Sequence, residues 1–189
     1  ASSRAFTNSL LGALKTHAGE DTGEILAGCA CHASHDDLTP LRNLWEKTRD
    51  LQSVHAKLQE YFIHFIREYK QMSDDQIDFL VTHGWGMAGI LEGTRVIATK
   101  IPALFHEYFA TDDPVKKRYC YCHCPRIKEL LGEGISVDPV YCHCGMGFYL
   151  DIWAYILDRP VKGEIRASIL NGNDTCSFLI DLTQSPQIP

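Results

Sequence analysis

Seven of the eight cysteines in this chain of 189 residues sit in Cys-x-Cys elements: Cys29-Ala30-Cys31, Cys120-Tyr121-Cys122-His123-Cys124 and Cys142-His143-Cys144. Thiols this dense hold metals, pair as disulfides or act as nucleophiles, in each case through the thiolate. On an extended strand, side chains two apart share a face, so Cys120 with Cys122, and Cys142 with Cys144, would each form one grip. Two such strands side by side predict four thiolates around one zinc ion, with an iron–sulfur cluster as the alternative. Cys124, Cys29 and Cys31 exceed what one zinc needs; they serve a second ion or shape a pocket, with the 29–31 loop as a lid. The spacing is not the Cys-x-x-Cys of zinc ribbons. Two other readings therefore stand: reduced thiols packed as small apolar groups, and a redox pair.

The histidines beside these thiols, His32, His123 and His143, are expected to orient ligands or meet solvent, because on strands His123 and His143 would face away from the sulfurs. Glu133, Asp138, Asp151 and Glu164 are available as bases, but no pair of them has a defined separation in the sequence. The chain has no glycine-rich phosphate loop and no Gly-x-Ser-x-Gly elbow.

Apolar residues make up 45% and charged residues 22%, ordinary for a folded domain, and the length suits one core. We expect a single domain over 1–189, with 1–83 mainly helical and 84–182 carrying the ligand- or metal-binding part. The net charge of −6, with no basic cluster larger than Lys116-Lys117-Arg118, argues against nucleic acid as a partner. No apolar run nears the ~20 residues that span a bilayer, and the first residues lack the apolar stretch of a secretory signal. The expectation is a cytoplasmic protein with reduced thiols, no membrane partner and a small-molecule ligand; a homodimer is compatible with it.

The elements that must position the thiols follow from periodicity. Residues 5–17 read as a helix, and 21–39 as a loop ordered briefly at the cysteines. Residues 41–69 carry the longest helical stripe, interrupted near 49–51 where Asp50 can cap a second segment. Ser73 caps a short helix that stops at Gly84. Strands 88–91 and 94–101 flank Glu92-Gly93 as a hairpin, a short helix runs to about Phe109, and Asp112-Asp113-Pro114 breaks it. Residues 115–122 and 140–144 read as strands, and 126–131 as a turn or two of helix. A helix follows from Gly145 to Leu157, and Pro160 stops it. Residues 161–182 form a hairpin with its turn at 171–174, pairing Ile169 with Cys176, Ala167 with Phe178 and Ile165 with Ile180. Helices first, then hairpins, make the fold α+β: N-terminal helices packed on an antiparallel sheet.

The run from Tyr119 through Cys120, Cys122 and Cys124 to Pro125, the run from Tyr141 through Cys142 and Cys144 to Gly145, and the stretch from Pro160 through Gly172 to Cys176 and Phe178 resemble the aminothiazoline-carboxylate hydrolase-like family of cysteine-rich bacterial proteins. That family is similar in turn to the vinyl-reductase and haem–nitric-oxide-binding group of ligand-binding domains. The resemblance covers residues 84–182. It implies a cytosolic α+β domain holding a small ligand or metal, a hydrolase acting on C–N bonds of a small heterocycle, and a pocket role for Cys176. We expect the ligand between the 147–157 helix and the 161–182 hairpin, with Cys144 and Cys176 at its floor and Tyr149 and Trp153 as walls. An open zinc site with three thiolates would serve hydrolysis; a closed one would mark a non-enzymatic binding or sensing domain.

Overall fold

The computed structural model of the chain describes residues 3–30 and 33–183. Its helices are α1 (Ser3–Ala18), α2 (Thr22–Gly28), α3 (His35–Thr48), α4 (Leu51–Glu68), α5 (Asp74–Thr82), α6 (Phe105–Phe109), α7 (Pro114–Tyr121), α8 (Pro125–Gly132) and α9 (His143–Leu157). The strands β1 (Ile90–Glu92), β2 (Arg95–Thr99), β3 (Lys162–Ala167) and β4 (Ser177–Asp181) form one antiparallel sheet in the order β1-β2-β4-β3. The fold is α+β, as the order of helical and alternating segments predicts.

Local chemistry sets the helix limits. The expected break in the long helical stripe falls at Arg49, which adopts φ 53°, and Asp50 then caps α4 by accepting from the Gln52 amide at 3.0 Å. Ser73 and Gln76 form a reciprocal capping box on α5. Helix α4 buries Val54, Leu58, Phe62 and Ile66, the stripe that periodicity assigns to the core. Gly86, at φ 100°, gives way to the Phe62 ring, which would stand 2.0 Å from any Cβ there.

Helix α9 is the centre of the molecule. It touches α2, α3, β3 and β4, and buries Met146, Tyr149, Ile152, Trp153, Ile156 and Leu157. Its first turns meet α2 at very short range: a Cβ on Gly147 would lie 2.0 Å from the Ala27 carbonyl oxygen, and one on Gly23 would lie 2.6 Å from the His143 ring. On its other side the sheet presents Val96, Ala98, Phe178 and Ile180, all buried.

Several expectations are corrected. Residues 22–28 are helical, and α3 begins at His35, capped by Ser34, so Pro40 lies inside that helix. The two cysteine strands do not exist. Residues 115–121 lie in α7, Cys122 and Cys124 flank a short link to α8, Cys142 ends a 3-10 turn, and Cys144 lies in the first turn of α9. The reason is capping. Asp113-Pro114 and Asp138-Pro139 each place an N-cap carboxylate before a proline in the first turn, with Asp113 accepting from the Val115 amide at 2.8 Å and Asp138 from Val140 at 3.0 Å. The final hairpin slips by two residues: Ile165 pairs with Phe178 instead of Ile180, a bulge follows, and Ala167 meets Ser177. Up to Ile165 the slip of two leaves each side chain on its expected face, and beyond the bulge Ala167 stands one place from its expected partner, Phe178. The chain turns through Ile169–Asn171 and Gly172, at φ 88°, because Ser168 binds both the Leu170 amide and Asn173.

Candidate functional site

One hydroxyl joins three segments beneath α9. Tyr121, the last residue of α7, donates its phenol proton to the Lys100 carbonyl at 2.5 Å and accepts the Cys176 amide at 2.8 Å. The Lys100 amide in turn donates to the Cys176 carbonyl at 2.9 Å, extending the β2–β4 ladder by one bond. Tyr121 is 1% exposed, and burial pushes its phenol well above the ordinary tyrosine range, so it stays a neutral donor. It thereby fixes Cys122, the next residue, near Lys100 and Cys176.

Ser168, fully buried at the end of β3, brings in the third sulfur: its Oγ lies 2.9 Å from the Cys142 Sγ. The Cys142 side chain adjoins Cys176 and interacts with it directly, and the Ile169 amide also faces the Cys176 sulfur.

Electrostatics separate the three thiols. Cys176 is drawn below the ordinary cysteine range, first by the bond from Cys142, against burial, and then by the Ile169 N–H and the Lys100 ammonium. Cys142 moves the opposite way because it must keep the proton that it shares, and burial adds to the effect. Cys122 is pushed up to about 11, chiefly by burial, and remains a thiol. Lys100 acts on all three sulfurs. Its Nζ lies close to the first turn of α9, 3.6 Å from where a Cβ on Gly145 would stand.

Comparison with protein-family models, characterised proteins and solved structures found no match for this chain.

Of the expected ligands, the structure brings Cys122 and Cys142 to the same centre and adds Cys176. Cys120 packs in the core on α7, 2% exposed, and Cys124 opens α8 without capping it. On a helix, residues two apart point to roughly opposite sides, so Cys120 cannot share the grip expected of a strand. Cys144 is half-buried in the first turn of α9, Cys29 is exposed just beyond α2, and Cys31 and His32 lie outside the described residues. Among the described residues no group of three or more His, Cys, Asp or Glu side chains is arranged to hold a metal ion. The thiol centre thus lacks the geometry of a ready zinc or iron–sulfur site.

The residues expected to wall a pocket between α9 and the hairpin lie in the core. Trp153 is fully buried, and Tyr149, 3% exposed, packs its ring 5.2 Å from Phe178. Tyr149 does adjoin Cys176, which together with burial raises its phenol pKa. His143 faces α2 through Gly23, and His123 bonds the Ile101 carbonyl at 2.8 Å.

Lys100, Tyr121 and Ser168 carry the site and were not legible as functional. Ser168 left the one usable sign, a hydroxyl at the end of an alternating strand, next to the apolar Ile169. Lys100 and Tyr121 become neighbours of Cys176 only through tertiary packing.

Proposed function

We propose that this chain is a thiol-dependent domain in which Cys176 is the nucleophile, Cys142 the proton donor, and Lys100 with the Ile169 amide the groups that stabilise negative charge. The observation that carries this reading is the buried Ser168 hydroxyl 2.9 Å from the Cys142 sulfur, with Cys142 beside Cys176 and a cation near both. An anionic sulfur next to a protonated donor suits addition to a polarised carbon. The Cys176 sulfur forms a bond to the carbon of a C=N group, the π pair moves to nitrogen, and nitrogen takes the Cys142 proton. The ring C–N bond then breaks as that nitrogen, given a second proton by water, leaves as an amine. The hydroxide so formed adds to the carbon, expels the Cys176 thiolate and returns its proton to Cys142. Ring opening of a thiazoline-like heterocycle in the cytoplasm would follow this course, in keeping with the resemblance of residues 84–182. Cys142 and Cys122, both partly exposed, mark the side from which a small molecule approaches.

A soft metal ion is the second reading, favoured by three sulfurs that feel one another's charge. It requires them to close on a common point and Cys142 to give up its proton. Elemental analysis of the purified chain separates the two. Iodoacetamide labelling with peptide mapping then tests the first. Modification of Cys176 and Cys142 at neutral pH, ahead of Cys120, supports it; modification of Cys176 only after unfolding removes it.

A further inference from the structure

The basic run Lys116-Lys117-Arg118 lies on α7, and its three members have different surroundings. Lys117 pairs with Asp112 at 3.8 Å, and Lys116 borders a hollow that also holds Asp113, Glu129 and Glu133. Arg118 is half-buried, and among the described residues it has neither an ion pair nor a side-chain hydrogen bond. It stands at a different cavity, of about 270 Å³, between α7, the end of α8, residues 134–137 and the turn at Ile169–Asn171. The lining is mixed: Leu131, Val137 and Ile169, all buried, with Ile135 and Leu170 form its apolar part, and Ser136 and the backbone at Gly134 and Gly172 stand beside them.

We propose that this cavity binds a small monocarboxylate with an apolar tail, the carboxylate held by Arg118 and the tail by Leu131, Val137 and Ile169. A guanidinium withdrawn in part from water without an anion has lost hydration and gained nothing, and its planar fork matches a carboxylate through two parallel bonds. Ser136, also at the cavity, offers a hydroxyl to the same group. The volume lies below the roughly 300–1,000 Å³ of pockets for drug-sized ligands, which sets the tail at a few carbons. A chain of net charge −6 does not gather anions by its overall field, so recognition rests on this one residue and on shape. The site uses no thiol, and it stands or falls separately from the reading of Cys176.

The test is calorimetric titration of the whole chain with butanoate, hexanoate and octanoate, and with hexanamide as the uncharged match. Saturable binding of at least one acid is expected, weakened about tenfold or more in Arg118→Gln and for hexanamide, as loss of a charge-assisted pair requires. Arg118→Lys should retain part of the affinity, and Lys117→Gln all of it. Absence of saturable binding by all three acids overturns the proposal. So does equal binding by Arg118→Gln, or by hexanamide.

Discussion

Cys142 adjoins Cys176 in the buried thiol centre, and this contact draws the Cys176 pKa down while it raises that of Cys142. Ser168 orders the pair from behind, since its hydroxyl holds the Cys142 sulfur at 2.9 Å. The polarity of the centre is therefore built by the neutral thiol, hydroxyl and amide groups together with the Lys100 ammonium.

Cys142→Ala removes that donor and leaves Cys176 with the Ile169 amide and Lys100. A hydrogen bond to a charged group contributes about 1.5–3 kcal/mol, so the rate of Cys176 alkylation at neutral pH should fall tenfold or more. Cys142→Ser, which keeps a donor, should recover part of it. An unchanged rate in Cys142→Ala would place the control of Cys176 elsewhere.

Stability should depend on pH on the alkaline side. In the unfolded chain Cys122 titrates near its ordinary value of about 8.5, whereas folded it holds its proton to about 11. Over that window the folded state binds more protons, so stability falls as pH rises. Tyr121 and Tyr149, raised by burial, steepen the fall above about 10. Cys176 has the opposite sign: its stabilisation is complete above the ordinary thiol range and is lost as pH falls through its lowered value. Urea midpoints across this range should thus peak near the ordinary thiol pKa and decline beyond it, and Cys122→Ala should flatten the first part of the decline.

The crossing of α2 and α9 admits no side chain at Gly147. Gly147→Ala sets a methyl carbon 2.0 Å from the Ala27 carbonyl oxygen, and backbone must move, at a cost of about 3 kcal/mol or more. Gly12, inside α1, has nothing within 4 Å of a Cβ, so Gly12→Ala should stabilise by roughly 0.5–1 kcal/mol. Chemical denaturation of the two variants should move in opposite directions.

Ser73→Ala removes one half of the α5 capping box, the bond that the Ser73 hydroxyl accepts from the Gln76 amide at 3.4 Å, and keeps the other, from the residue 73 amide to the Gln76 side chain at 3.0 Å. A loss of about 1 kcal/mol is expected from the denaturation midpoint, with an unchanged slope.

What the sequence shows clearly is what neighbours in the chain decide. The stripe of Val54, Leu58, Phe62 and Ile66, the cap at Asp50, the box at Ser73 and the buried face of α9 all follow from spacing and capping. The cysteine segments were misread for the same local reason. Alternation over a few residues around Cys120 and Cys142 looks like strand, but the Asp-Pro pairs at 113–114 and 138–139 start helical turns that absorb them. The site itself depends on distant pairs such as Tyr121 with Cys176 and Cys142 with Ser168, separated by 55 and 26 residues, and no local pattern encodes these.

The central claim is that Cys176 ionises below the ordinary cysteine range in the folded protein. Thiolates absorb in the far ultraviolet where thiols do not, so a pH titration of this band in metal-free protein, wild type against Cys176→Ser, measures it without any reagent having to reach a buried sulfur. The account predicts a difference of one thiolate that appears below the ordinary cysteine range of about 8.5, shifted upward in Cys142→Ala. Superimposable wild-type and Cys176→Ser curves up to that pH would contradict it.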